Sequence, residues 1–307
     1  MSAEVIVAKN CGFCFGVRRA VDMVYALRRS TDKKIYVIGE LIHNATFIER
    51  LKNDGIVCIG EEDLPRLLCE KDGCILVIRT HGVTKELSAY LADNGFETVD
   101  ATCPFVSRIH TLVDENSRDA DLTFIVGDEH HPEVVGIRSY ARGQTVVFAD
   151  DKECCDFVKK HPETTAKSVI MVSQTTGNNE KYVNCQKKIK NHYTKSKIFD
   201  TICNVTESRQ NEAASLASRA DVVCVIGCVR SSNTKKLYEI SREHCRNVYL
   251  IENASDVPKE DIRLLAAEHD RKENVSERPF TVVLTAGAST PDDIIEEVKV
   301  SIHETVC

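Results

Sequence analysis

Positive charge is in short supply in this chain: 40 Lys and Arg stand against 47 Asp and Glu, a formal net charge of -7. A nucleic-acid partner needs a basic face to neutralise phosphates, and this balance argues against one. No DNA-binding motif is recognisable, and no extra RNA-binding module is expected. Long apolar runs are missing too, none approaching the roughly 20 residues that a membrane-spanning helix requires. The opening MSAEVIVAKN has neither the charged n-region nor the apolar h-region of a secretory leader. The expected location is cytoplasmic, with no membrane partner.

Cysteine, by contrast, is abundant, with 14 in 307 residues. In a reducing compartment so many thiols argue for metal or catalytic use rather than a disulfide framework. Most have a plain structural reading. Cys58, Cys74 and Cys224 sit inside the apolar runs IVCIG, CILVI and VVCVIG and read as small core residues. Cys69, Cys185 and Cys245 fall on helical patterns, Cys154 and Cys155 are neighbours, Cys228 follows a strand, and Cys307 ends the sequence.

Short apolar runs alternate with amphipathic stretches throughout. The runs EVIVA, KIYVIG, GIVCIG, CILVIR, FETVDA, LTFIVG, TVVFAD, SVIMVS, KIFDT, DVVCVIG, NVYLIE and FTVVLTA read as strands. Between them, segments such as VRRAVDMVYALRR and NEKYVNCQKKIKNHY carry helical periodicity. This is the βαβ pattern of parallel sheets covered by helices. About twelve strands exceed one small sheet, so several α/β units are expected. Residues 254–279 read as a helix plus an exposed loop.

Cys14, Cys103 and Cys203 share one context: each follows a strand and opens a helix, in CFGVRRAV, CPFVSRIH and CNVTESRQ. A helix N-terminus favours the thiolate, the form that binds metal. Cys11 and Cys14 form a Cys-x-x-Cys pair, but the layout of a thioredoxin unit is absent. Three thiolates fall short of the four ligands of structural zinc, and with catalytic zinc they would make an electron-rich, weak Lewis acid. They suit a [4Fe–4S] cluster with one iron left open. Zinc remains the alternative on these grounds.

In parallel sheets, ligands gather beyond the C-terminal strand ends. The unusual polar residues fall there: His43 in ELIHNAT, His81 in THGV, His131 and Glu133 in DEHHPEV, and Thr175 and Thr176 in QTTG. CVRSSN and GASTPDD occupy the same kind of place. Ser231-Ser232-Asn233 and Ser289-Thr290-Pro291 also read as helix caps, with Pro291 suited to a first helical turn. Two such termini with several histidines describe a diphosphate cradle. A carboxyl beside an imidazole near bound anion and metal is placed to donate a proton.

Taken together, GFCFGVRRA, IHN, RTHGV, DATCPFV, HPEVVG, SQTT, RSSN and TAGASTPD resemble the 4-hydroxy-3-methylbut-2-enyl diphosphate reductase family (LytB type), in family order and over nearly the whole chain. The resemblance implies three similar α/β domains with small, mostly parallel sheets arranged around a central [4Fe–4S] cluster held by Cys14, Cys103 and Cys203, one iron being open to substrate. The domains would span 13–102, 103–202 and 203–290, the last completed by 1–12 and 291–307. The implied reaction is reductive dehydroxylation of the allylic diphosphate to isopentenyl and dimethylallyl diphosphates, with an external electron donor such as ferredoxin or flavodoxin. His43, His81, Ser231, Ser232, Asn233 and Ser289 would hold the diphosphate. His131 and Thr175 would lie beside the substrate, and Glu133 would supply the proton.

Two places depart from the family pattern. His130 stands where glycine is more usual, after the acidic Asp128 and Glu129, and Phe15 stands where a small residue is common, which would tighten the pocket at Cys14. The rival readings are a non-redox iron–sulfur dehydratase like quinolinate synthase and a non-catalytic cluster sensor.

Overall fold

All twelve expected strands form in the computed structural model, which describes residues 3–272 and 278–306. The chain opens with β1 (Ala3–Val7), α1 (Phe15–Ser30), β2 (Lys34–Ile38), α2 (Ala45–Asn53) and β3 (Ile56–Ile59). It continues with α3 (Leu64–Leu67), β4 (Cys74–Ile78), α4 (Lys85–Asp93), β5 (Thr98–Asp100) and α5 (Pro104–Asn116). Next come β6 (Leu122–Val126), α6 (Pro132–Tyr140), β7 (Gln144–Phe148), α7 (Asp151–Lys160), β8 (Val169–Ser173), α8 (Asn179–His192) and β9 (Ser196–Ile198). Last are α9 (Asn204–Ala217), β10 (Val222–Ile226), α10 (Ser232–His244), β11 (Val248–Ile251), α11 (Lys259–Lys272), β12 (Phe280–Ala286) and α12 (Asp292–Val306).

The strands form three four-stranded sheets, ordered β3-β2-β4-β5, β7-β6-β8-β9 and β11-β10-β12-β1. Every pairing is parallel. One order is therefore repeated, and in the last sheet the N-terminal strand β1 takes the place that β5 and β9 hold in the others. Its register sets Ala3 opposite Phe280 and Val7 opposite Leu284.

Strands β4, β6, β8, β10 and β12 are buried along their whole length, as parallel strands covered on both faces must be. Alternate residues then feed different cores. Cys224 and Ile226 join the cluster with Ile294, Val298 and Ile302 of α12, whereas Val223 and Val225 join that with Ala213 and Leu216 of α9. Cys74 and Cys224 are core residues as expected. Cys58 is only half-buried, because β3 is an edge strand with one neighbour.

The chain divides into two compact units. One comprises Met1–Phe15, His43–Phe47 and Asn204–Cys307, and the other Gly16–Ile42 and Ile48–Cys203. The first contains the β11-β10-β12-β1 sheet, the second the other two. In the segment read as helix plus loop, α11 is present, and residues 273–277 lie outside the described residues, as does Cys307. Among the described residues no helix is long and apolar enough to cross a membrane.

In each sheet the order reverses between its two middle strands, the switch point where parallel sheets open a crevice. The loops that leave those strands carry the polar motifs. In the second unit they are the loops after β4, β6 and β8, and in the first the loops after β10 and β12.

Candidate active site

Cys14, Cys103 and Cys203 occupy one repeated station. Each follows the fourth strand of a sheet and immediately precedes a helix, α1, α5 or α9. Each also donates its backbone N–H to a carbonyl in the loop after the third strand. Cys103 bonds to Thr80 at 2.9 Å, Cys203 to Thr175 at 3.0 Å and Cys14 to Ala288 at 3.1 Å. All three thiols are half-buried.

In the second unit the loops after β4, β6 and β8 bring His81, His131, Glu133 and Thr175 together. His131 caps α6, its Nδ1 accepting the Glu133 N–H at 3.2 Å, which leaves Nε2 to carry the proton of the neutral ring. The His81 and His131 rings meet edge to face with centroids 5.2 Å apart. Glu133 is 1% exposed, and its carboxylate oxygens accept the Thr175 N–H at 2.6 Å and the Thr175 hydroxyl at 2.9 Å. Burial outweighs both donors and pushes the carboxyl from 4.5 up to about 7. Thr175 thus links the proton-holding group to the Cys203 backbone.

The acidic departure in this loop lies at the surface. Asp128, Glu129 and His130 form an exposed turn, in which Asp128 Oδ1 accepts the His130 N–H and Glu129 pairs with Arg138. His131 stays in place, its N–H bonded to the Asp128 carbonyl at 2.9 Å.

In the first unit, Ser231 is the N-cap of α10, its hydroxyl accepting the Thr234 N–H at 3.3 Å. Asn233, in the first turn, is 3% exposed, yet among the described residues neither side-chain amide atom has a hydrogen-bond partner. A buried amide left so is costly, and at a helix N-terminus an anion is the fitting acceptor for its Nδ2 donors. Ser289 donates its hydroxyl to the His43 carbonyl at 3.1 Å, and Thr290 to that of Ile226 at 3.0 Å. Pro291 directly precedes α12 rather than lying within its first turn. The loops also press closely: a Cβ on Gly287 would run into the Thr234 hydroxyl. Ser232 opens α10 between Ser231 and Asn233. Phe15, next to Cys14, is 61% exposed.

One position beside a candidate ligand escaped the sequence. Gly16, in the first turn of α1, approaches Cys103 so closely that a Cβ there would stand 2.6 Å from its Sγ. The signal was a glycine within a helix that propensity disfavours, but its partner lies 87 positions away and nothing local names it. Arg19 adds a second tie, donating to the Thr102 carbonyl at 3.1 Å.

Similarity to characterised proteins runs the length of the chain. The family model for LytB protein matches residues 5–303. The 4-hydroxy-3-methylbut-2-enyl diphosphate reductase of Clostridium perfringens is 38% identical over 304 residues, covering 99% of this chain and 100% of that one. The protein of that name from Clostridium acetobutylicum is 37% identical over 295 residues, 96% of this chain. The chain spans 42% of the length of that relative and of its Clostridium tetani counterpart. A solved structure of (E)-4-hydroxy-3-methyl-but-2-enyl diphosphate reductase, the terminal enzyme of the non-mevalonate pathway, superposes with a TM-score of 0.67 at 34% identity, covering 99% of this chain and 100% of that chain. Matched from β1 into α12, with its polar motifs on the switch-point loops of three parallel sheets, the chain belongs to the LytB protein family.

Proposed function

We propose that the chain is a 4-hydroxy-3-methylbut-2-enyl diphosphate reductase. The reaction takes two electrons and two protons, breaks the allylic C–O bond, releases the oxygen as water and leaves isopentenyl or dimethylallyl diphosphate. The observation that carries the reading is Glu133: a buried carboxyl, poised near neutrality, beside His131 and Thr175 on loops leaving the middle strands. Losing a hydroxyl as water needs a proton donor shielded from solvent, and a group half-protonated near pH 7 serves best.

The same reading assigns Cys14, Cys103 and Cys203 to a [4Fe–4S] cluster with one iron open to substrate. The donor set fits: three half-buried thiols, each at a helix N-terminus, and a glycine that leaves room beside one of them. When bound, such a cluster supplies electrons and Lewis acidity. The protein's own part is to hold, orient and protonate. Ser231, Ser232, Asn233, Ser289, His43 and His81 bind the diphosphate, and the Asn233 Nδ2 donor gains the acceptor that it lacks among the described residues. That remote anion provides binding energy for orienting the bond to be broken. His131 and Thr175 line the reacting end, and Thr175 holds the Glu133 carboxyl in one orientation through its two bonds.

Electrons come from an external donor such as ferredoxin or flavodoxin, and a reducing, cytoplasmic location keeps the thiols available. The proposed domains, 13–102, 103–202 and 203–290 with both termini, each carry one ligand cysteine. Anaerobic purification followed by turnover of the allylic diphosphate tests the function. Product should form only as a chemical reductant is consumed. Dehydration without reductant consumption would point to a dehydratase, and untouched diphosphate beside a bound cluster to a sensor.

A further inference from the structure

The loop from Ala8 to Cys14 has no regular structure, yet its backbone is tied down by two side chains of one helix. Glu212 of α9 accepts the Lys9 N–H at 2.8 Å, the Asn10 N–H at 2.9 Å and the Asn10 side-chain amide at 2.9 Å. One turn earlier, Arg209 donates to the Gly12 carbonyl at 2.7 Å and to the Ala286 carbonyl at 3.0 Å. Gly12 itself has φ +79°, and a Cβ there would run into Asp292, so only glycine suits that point of the loop.

Burying a guanidinium is expensive, and Arg209 is only 4% exposed. Its planar fork splits donors between two loops, which the point charge of a lysine does poorly. Both loops lead to Cys14: Gly12 stands two residues before it, and the strand end at Ala286 runs into Ala288, whose carbonyl accepts the Cys14 N–H. Partial burial pushes the Glu212 carboxyl up, but the Lys9 and Asn10 donors win and hold it below its usual range, so it stays charged for the clamp.

We propose that Arg209 and Glu212 are positioning residues that fix the Cys14 thiol in its metal-binding orientation. Arg19 does the same for Cys103 through the carbonyl of Thr102, the residue just before it. Each arginine lies five or six residues after one ligand cysteine and grips the backbone leading to another. The inference rests on the reading of these cysteines as cluster ligands.

The test uses the full chain, purified anaerobically, with Arg209→Gln, Glu212→Gln and Arg19→Gln beside the unsubstituted protein. Iron content, the electron paramagnetic resonance spectrum of the reduced cluster and iron loss to a competing chelator are read on the loaded protein. Alkylation of Cys14 and Cys103, resolved by mass spectrometry, is read on the same chains without cluster, with the thermal midpoint as control. Losing one charge-assisted hydrogen bond corresponds to about tenfold. Cys14 should therefore alkylate about tenfold faster in Arg209→Gln and Glu212→Gln, with Cys103 unchanged, and Arg19→Gln should show the reverse. Both sets should lose iron faster and give an altered spectrum, and Arg209→Lys should recover part of the effect. Folded variants with unsubstituted alkylation rates, spectrum and iron retention overturn the proposal. If Arg209→Gln does not fold, Glu212→Gln, altered at the half-buried rim, decides alone. If the unsubstituted chain binds no cluster, the functional reading fails, and the alkylation pattern still decides the clamp.

Discussion

Glu133 accepts two hydrogen bonds from Thr175 that would normally hold a carboxyl low, but the loss of its hydration shell is the larger effect and brings it to about 7. The consequence for stability has a definite sign. Between pH 4.5 and about 7 the folded chain keeps a proton that the unfolded chain has released, so this group's contribution to stability falls as pH rises through that window and levels off above it. Glu133→Gln removes the titration. The stability of the native chain minus that of the variant should drop by on the order of 3 kcal/mol from pH 4.5 to 7, read from urea melts across the range. Parallel curves would mean that the carboxyl ionises normally. The same variant should keep its cluster and lose about 100-fold or more in turnover, and wild-type turnover would remove Glu133 from the proton path.

Elements meet here through glycines as much as through apolar faces. In isolation, replacing Gly16 with Ala in the first turn of α1 should favour the helix by roughly 0.5–1 kcal/mol. The new methyl, however, would press on the Cys103 Sγ and Cβ, 2.6 and 3.2 Å from its position. Gly16→Ala should therefore leave the thermal midpoint of the cluster-free chain nearly unchanged while lowering iron retention, measured by chelator challenge. Equal retention in the two proteins would show that Cys103 has room to move. A second meeting point sets His110 of α5 against Gly82, with φ +72°, and Gly136 of α6. Burial pushes this imidazole down to about 4, so it packs uncharged, and stability is lost as pH falls from 6.5 toward that value. His110→Gln should flatten that acid limb. None of these contacts was legible in the sequence. Strands were, because parallel strands buried on both faces read as unbroken apolar runs, and so were the loops at their ends. Gly16, Arg209 and Glu212 act through partners that only the folded topology brings near. Cys58 was misread because an apolar run does not say which strand lies at an edge.

Across the whole molecule, one sheet order is used three times, and the cysteine that follows the fourth strand makes the same backbone bond each time. Sequence alone found the three cysteines by their shared strand-to-helix context. The family resemblance assigns residues 1–12 to the last domain; the pairing adds that β1, first in the chain, supplies the fourth strand of its sheet and so puts Cys14 at the station of Cys103 and Cys203. That equivalence makes a sharper prediction than the local Cys-x-x-Cys pair does. If station decides ligation, Cys14→Ser, Cys103→Ser and Cys203→Ser should each forfeit the intact cluster to a similar degree. Cys11→Ser should retain it, although Cys11 is only three residues from Cys14. Cys11 has a different environment: burial pushes its thiol up, away from the thiolate that binds metal. Iron and sulfide analysis with electron paramagnetic resonance on anaerobically purified chains separates the cases. Equal losses for Cys11→Ser and Cys14→Ser would restore the pair as the functional unit, and an intact cluster in Cys203→Ser would break the threefold assignment.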